Sequence, residues 1–237
     1  MSCAIVLCSG GLDSVVLAYY LKKIKDFKEL LLVFINYDQN SCDSEIFCVK
    51  KACKDLGADL KIINLDWLGR ISTSLINKDV SSGIKDSEVN GDLLNWYVPC
   101  RNSLFLLIAL SIAESEFISN NKKYDIYLGI KFEGELQFKD TTPEFLKQMN
   151  VTAKFCTQKG VFKFIAPFLN KDKEELIDLA KKLNIPLQYT CSCYVGKGFK
   201  EFNNKKVPIH CGVCAGCKSR KKAFKFSNNE DVSFYLS

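Results

Sequence analysis

The stretch "AIVLCSGGLDSVVLAYYLKK" (residues 4–23) runs an apolar strand straight into Ser9-Gly10-Gly11-Leu12-Asp13-Ser14 and then into a helix. The apolar run over 3–8 ends on two glycines, which reads as a buried strand, with a helix over 14–25. Gly10 and Gly11 can adopt positive φ and turn successive N–H groups toward one concave spot. A helix beginning near Ser14 adds its unpaired N–H groups and the positive end of its dipole. Ser9 and Ser14 offer hydroxyls, and Asp13 offers a carboxylate that can hold Mg2+ against the same anion. This set suits a phosphate or pyrophosphate. It has neither the spacing and lysine of a Walker A loop nor the G-x-G-x-x-G of a dinucleotide fingerprint. The plain alternative is a tight strand-to-helix turn.

Outward from this stretch the pattern alternates. Residues 29–35 read as a strand, 43–56 as a helix and 60–65 ("LKIINL") as a strand; 70–92 is a polar stretch read as a long loop or lid. "RNSLFLLIALSIAES" (101–115) is too continuously apolar for a surface helix and reads as a buried one. A strand over 124–129 follows, then a helix opened by Pro143 at its first turn. "VFKFIAPF" (161–168) reads as extended, and Asn170 caps a helix over 171–183, with Glu174 near the capping-box position. Such alternation predicts an α/β fold, a doubly wound and mostly parallel sheet covered on both faces. Ligands in such sheets sit beyond the carboxyl ends of the strands. Asn36–Gln39 after the second strand and Gly129 after the fourth then meet Ser9–Ser14 at one edge. Residues 1–186 form this α/β domain, and 187–237 a small metal-binding segment packed on it.

The chain has 237 residues, 47% hydrophobic and 25% charged, enough for a sizeable core. No apolar run approaches the ~18 residues that span a bilayer. The start lacks a basic n-region and a small-residue cleavage site, so a cytoplasmic protein without a membrane partner is expected. Twelve cysteines in such a chain do not read as a disulfide framework. Cys3, Cys8, Cys48 and Cys53 fall at apolar positions and read as small buried thiols. The net charge of +6 is uneven: Lys197–Lys225 carries nine basic residues against Glu201 alone. That run is a solvated face, or it meets nucleic acid or an acidic protein.

"CSCYVGKGFKEFNNKKVPIHCGVCAGCKSR" (191–220) holds Cys211, Cys214 and Cys217 at C-x-x-C spacing, with Cys191 or Cys193 as a fourth thiol. Four thiolates around one tetrahedral Zn2+ leave no open position, which makes the site structural. Iron–sulfur motifs also begin with C-x-x-C-x-x-C. Cys193 stands directly before the loop-forming "YVGKG" and fits better than Cys191. His210 is the only histidine and reads as a loop residue, which excludes Ser–His or Cys–His catalysis elsewhere.

The "SGGLDS" run resembles the loop of ATP pyrophosphatases, which split ATP into AMP and pyrophosphate to adenylate an oxygen. Together with "YVPCRN" (97–102) and "TCSCY…CGVCAGC", it resembles the 7-cyano-7-deazaguanine synthases of queuosine biosynthesis. The likeness covers nearly the whole chain, through "FINYDQ" (34–39), "YLGI" (127–130) and "APFLNKDKEELIDLAKKLNIP" (166–186). It implies the adenine nucleotide alpha hydrolase fold, with ATP at Ser9, Gly10, Gly11, Leu12, Asp13, Ser14 and Gly129. It implies catalytic roles for Asp13 and Arg101, with Mg2+ as cofactor, and substrate contacts at Gln39, Asn102 and Asp140. Zn2+ falls to Cys193, Cys211, Cys214 and Cys217, leaving Cys191 spare. The implied reaction takes 7-carboxy-7-deazaguanine and ammonia to an amide and then a nitrile. Further expectations are a homodimer and an acidic protein or tRNA at Lys197–Lys225.

The departures lie in the substrate region. "QFKDTTPEF" (137–145) keeps Asp140, Pro143, Glu144 and Phe145 of the family's usual G-Y-P-D-C-R-P-E-F. Thr142 stands where the arginine does, and Phe138-Lys139 where the Tyr-Pro pair does. "NYDQNSCDSE" (36–45) lacks an expected basic residue, and Cys100 replaces a small one. These changes keep other readings open: an enzyme that stops at an amide or joins the acid to another amine, such as a protein's; a non-catalytic zinc module for nucleic acid; or sulfur insertion through Cys100, set against a buried inert thiol.

Overall fold

The computed structural model describes residues 2–77, 93–132, 138–202 and 204–236. Strands β1 (Cys3–Leu7), β2 (Glu29–Asn36), β3 (Asp59–Asn64), β4 (Tyr124–Leu128) and β5 (Phe164–Ile165) form one sheet in the order β3-β2-β1-β4-β5. Every pairing in it is parallel. Helices α1 (Leu12–Lys23), α2 (Cys42–Leu56), α3 (Asp66–Ile71), α4 (Arg101–Asn120), α5 (Pro143–Cys156), α6 (Lys173–Lys182) and α7 (Ala215–Phe226) complete the main elements.

Both faces of the sheet are covered, as the unbroken apolar strands require. Alternate residues serve opposite faces. Ala4, Val6, Leu32 and Phe34 pack with α1, α2, α6 and α7, including Leu17, Val49, Leu176 and Phe224. Ile5, Val33 and Ile35 pack with α4 and α5 through Leu106, Leu110 and Met149. Chain order reverses between β1 and its two neighbours, β2 on one side and β4 on the other. The carboxyl ends of β1 and β4 flank that switch point, the expected place for a ligand in such a sheet.

The C-terminal part adds β6 (Phe199–Phe202), β7 (Lys205–His210) and β8 (Phe234–Tyr235), with β6 antiparallel and β8 parallel to β7. Asn204, at φ 58°, turns the chain between β6 and β7, a conformation that asparagine tolerates. Sequence patterning did not reveal this hairpin because charged residues interrupt its alternation. A third apolar cluster joins Tyr37, Leu68, Trp96 and Val98 to Cys191, Cys193, Cys211, Cys214 and Cys217, so the cysteine segment packs directly beside the end of β2.

Several expectations are corrected. Helix α1 starts at Leu12, not Ser14, because Gly11 is its N-cap. Helix α6 is capped by Asp172, whose N–H donates to Glu175 Oε2 at 2.8 Å. Asn170 and Glu174 are therefore not the box; Lys171-Asp172 is still outside the helix. "VFKFIAPF" yields only the two-residue β5. Helix α4 is not wholly buried: it fully buries the stripe Leu106, Ala109, Leu110 and Ala113, since a helix laid on a sheet presents one face to it. Contrary to the reading of the sequence, Leu94–Asn120 is long and apolar enough to cross a membrane by length and composition, with mean hydropathy 1.3. Here its helical part, α4 (Arg101–Asn120), covers β1 and β4. Of the 70–92 stretch, residues 78–92 lie outside the described residues.

Candidate active site and metal centre

The loop after β1 is clamped into shape. Gly10 has φ +74°, and a Cβ there would lie 2.4 Å from the Glu45 carbonyl oxygen, so no other residue fits. Gly11 keeps φ −71°, so only one of the two glycines takes the left-handed region. The first hydrogen bond of α1 runs from Val15 N–H to the Gly11 carbonyl. The N–H groups of Leu12, Asp13 and Ser14 thus open the helix at the carboxyl end of β1, where the dipole is positive. Gly129, just past β4, lies so close that a Cβ would sit 3.1 Å from the Ser14 nitrogen. Ser14 Oγ donates to the Gly11 carbonyl at 3.2 Å and lies 3.3 Å from Ser9 Oγ. The structure brings together all seven residues expected at the nucleotide.

Asp13 has one carboxylate oxygen 3.6 Å from Lys173 Nζ, on α6. Its other oxygen, Oδ1, is buried without a hydrogen-bond partner among the described residues. A buried carboxylate oxygen left unpaired beside the open N–H groups of a helix start fits a divalent cation. Lys173 also donates to Ser219 Oγ on α7 at 3.1 Å. Sequence reading missed Lys173, because nothing in "NKDKEE" separates it from the solvated lysines around it.

A second group of polar residues stands where α4 begins. Arg101 Nη1 donates to Tyr37 Oη at 3.4 Å, and its guanidinium lies over the Tyr37 ring. Burial pushes the Tyr37 phenol up to about 12, against the pull of Arg101, so it stays neutral. Asn102 Nδ2 donates to the Asp140 carbonyl at 3.2 Å, which ties the 138–142 turn to α4. Burial raises the Asp140 carboxyl, with Arg101 opposing. The Tyr97 and Phe138 rings stack at 5.3 Å beside this group. Thr142, at the position of the missing arginine, accepts from the Phe145 N–H at 3.1 Å as the N-cap of α5.

Gln39 is placed differently from its companions. Its side chain is buried: Oε1 accepts from the Tyr37 N–H at 2.8 Å, and Nε2 donates to Glu45 Oε2 at 2.8 Å. Glu45 also accepts from Ser41 Oγ at 2.7 Å, and burial raises its carboxyl. Gln39 and Glu45 therefore shape the turn that carries Tyr37. Cys100 is exposed, at φ 56° on the N-cap of α4, which corrects the reading of a buried thiol. A helix that starts at a sharp left-handed corner leaves its cap outside the packed stripe.

The sulfurs of Cys193, Cys211, Cys214 and Cys217 lie within 4.8 Å of one another, and all four residues are buried. Backbone N–H groups aim at them: Cys211 N–H at Cys193 Sγ and Cys214 N–H at Cys211 Sγ, each at 3.3 Å. Hydrogen bonds from the Cys193, Cys214 and Cys217 thiols hold Cys211 well below the ordinary thiol range. A closed set of four buried sulfurs within reach of one another fits a tetrahedral metal. Cys191 is outside the set, its thiol directed at the Cys193 carbonyl. His210 is buried and also outside it; Nε2 accepts from the Ser192 N–H at 3.1 Å. Burial, then the Arg220 charge, lowers His210 to about 3.

Of the basic run, Arg220 is fully buried and leaves the surface. Lys200, Lys206 and Lys221 lie over Phe234, Phe199 and Tyr235 of the same chain.

A family model described as the queuosine biosynthesis protein QueC matches residues 3–228. A 7-cyano-7-deazaguanine synthase of Pyrococcus furiosus is 32% identical over 98% of this chain and 96% of its own. One from Methanosarcina barkeri is 34% identical over 96% of each. Among solved structures, an NH3-dependent NAD synthetase from Campylobacter jejuni is similar at TM-score 0.42 and 19% identity, covering 79% of this chain and 66% of that one. A match across nearly the full length, at such identities, places the chain in the QueC family of queuosine biosynthesis proteins.

Proposed function

We propose that this chain is an ATP-dependent carbon–nitrogen ligase that converts 7-carboxy-7-deazaguanine to 7-cyano-7-deazaguanine. The observation that carries the reading is the cluster of groups at the switch point. There the opening N–H groups of α1, the unpaired Asp13 Oδ1 and the Lys173 ammonium converge. The relatives named as 7-cyano-7-deazaguanine synthases supply the substrate class.

A carboxylate resists attack by ammonia until one oxygen becomes a leaving group. Its oxygen attacks the α-phosphorus of ATP, and the bond to pyrophosphate breaks. The N–H groups of Leu12–Ser14 and Lys173 stabilise the charge that pyrophosphate carries away. Ammonia then adds to the acyl carbon, AMP leaves with the bonding pair, and a proton is lost to give the amide. The amide oxygen repeats the attack on a second ATP. The C–O bond then breaks toward AMP while nitrogen sheds its two protons, leaving the nitrile. Arg101, Asn102 and Asp140 hold the acid in line, and most of the acceleration comes from such positioning. Mg2+, held at Asp13, would neutralise part of the triphosphate charge. Zn2+, held by Cys193, Cys211, Cys214 and Cys217, would supply folding energy to the 187–237 segment and no open position for chemistry.

A second reading rests on Thr142. Its hydroxyl already caps α5, so it cannot stand in for an arginine at the substrate. Altered recognition there favours an enzyme that stops at the amide or joins the acid to another amine. Incubation with ATP, Mg2+, ammonia and 7-carboxy-7-deazaguanine, followed by mass spectrometry, separates the two. A product lighter than the amide by one water supports the nitrile. Accumulated amide moves the assignment to the second reading, and absence of AMP and pyrophosphate removes both.

A further inference from the structure

Arg220 is among the largest fully buried side chains and the sole arginine of that group, with 0% exposure. Burying a guanidinium is costly unless its donors are all met. Here Nη1 donates to Thr190 Oγ1 at 2.7 Å and to Ser192 Oγ at 3.2 Å, Nη2 to the Leu187 carbonyl at 3.0 Å, and Nε to Ser233 Oγ at 2.6 Å. The Asp231 carboxylate balances the charge from 3.8 Å. Three of these contacts fall on one short segment, Leu187–Ser192, a 3-10 turn over Leu187–Tyr189 followed by the buried Thr190 and Cys191 and by Ser192; it lies outside both sheets and so has no ladder to fix it.

That segment touches the nucleotide loop. The Cys191 N–H donates to the Gly10 carbonyl at 2.8 Å. A Cβ on Gly11 would lie 3.5 Å from the Cys191 carbonyl oxygen. Gly10 is thus gripped from two sides, by the Glu45 backbone and by Cys191. The same segment is tied to the cysteine cluster. Ser192 N–H donates to His210, next to Cys211, and Cys193 is itself one of the four sulfurs. Arg220 sits one helical turn beyond Cys217 on α7, whose N-cap is Cys214 and whose first turn carries Cys217.

We propose that Arg220 is a positioning residue for the nucleotide loop. From the cysteine-bearing helix it holds Thr190 and Ser192 so that the Cys191 N–H pins the Gly10 carbonyl, and the grip on the triphosphate depends on the folded metal segment. This rests on the reading that Ser9–Ser14 binds a nucleotide. It assigns a role to a charge that the four-sulfur site alone does not need. Lysine cannot replace it, since a single ammonium cannot span four acceptors in a fixed fork.

The test uses the full-length, zinc-loaded protein. Arg220→Gln and Arg220→Lys are compared with wild type by hydrogen exchange of the peptide containing Cys191, zinc content, calorimetric binding of Mg2+ with α,β-methylene-ATP, and KM for ammonia. The expected result is retained zinc, at least tenfold faster Cys191 exchange, at least tenfold weaker nucleotide binding and an unchanged KM for ammonia. Folded, zinc-loaded Arg220→Gln with wild-type exchange and affinity overturns the proposal. Should that variant not fold, Thr190→Val and Ser192→Ala carry the test. Each is expected to weaken nucleotide binding about threefold, and wild-type behaviour in both overturns it. Chelation of zinc from wild type is expected to loosen Cys191 and the nucleotide together; retention of both refutes the dependence on metal. A wild-type protein that ignores the nucleotide, while Cys191 exchange still answers to Arg220, discards the nucleotide reading and keeps the strut.

Discussion

Lys173 Nζ stands 3.6 Å from Asp13 Oδ2, while Oδ1 of the same carboxylate is buried with no hydrogen-bond partner among the described residues. Helix α6 therefore sets a cation beside a carboxylate of which one oxygen is unsatisfied. On the proposed function, such a pair suits a ligand that brings both signs, a triphosphate with its metal.

Asp13→Ala is expected to cut pyrophosphate release by at least ~100-fold, because the carboxylate that would hold Mg2+ against the departing group is gone. The fold should survive. The variant sheds an unsatisfied buried oxygen, worth ~1–3 kcal/mol, but leaves Lys173 with Ser219 Oγ as its remaining partner in place of the Asp13 carboxylate. These effects oppose each other, so a calorimetric melt should show a cooperatively folded variant. Undiminished pyrophosphate release would end the assignment.

Lys173→Met keeps most of the side-chain volume and removes the charge. Hydrogen bonds to charged groups are worth ~1.5–3 kcal/mol, so nucleotide affinity should fall roughly ten- to hundredfold. Calorimetric titration with Mg2+ and α,β-methylene-ATP reads this directly. Wild-type affinity would mean that Lys173 serves only Asp13 and Ser219.

Cys214→Ser is expected to lose bound metal and to loosen 187–237, since metal binding and folding of such a site are one free energy. Metal analysis and exchange across 199–210 would report it. A colourless wild-type protein with one zinc per chain fits the four-sulfur set; visible charge-transfer absorption would replace zinc with an iron–sulfur cluster.

Glu45 carries a pH signature. Burial raises its carboxyl in the folded state, opposed by the Gln39 and Ser41 hydrogen bonds. The native state then holds the proton more tightly than the unfolded chain does. Its contribution is full below the unfolded value of ~4.3 and is lost as pH rises through the raised one. Glu45→Gln should flatten the fall in urea-unfolding stability over that window. Parallel pH curves for the two proteins would refute it.

The opening strand and loop were legible from sequence because β1 is apolar on both faces and Ser9–Ser14 holds its chemistry in six consecutive residues. The cysteine cluster was legible for the same reason, since C-x-x-C spacing is local; that Cys193 and not Cys191 joins the other three sulfurs is a matter of tertiary structure. Asp172 as the cap of α6, the exposed Cys100 and the β6–β7 hairpin were not legible, because neighbouring sequence offers near-equal alternatives at each.

What the sequence alone determined is the alternation of strands and helices in the sheet domain, the glycine loop after β1 and the thiol cluster. Each depends on side chains within a turn or two of one another, where periodicity and φ/ψ limits act directly. Tertiary structure decided which distant groups serve them. It chose Lys173 from a run of similar lysines, drew Arg220 out of a basic stretch into the interior, and made Gln39 a turn support. Those outcomes depend on which surfaces the sheet order brings together, and burial of a charge or an amide is settled only by the partners waiting there.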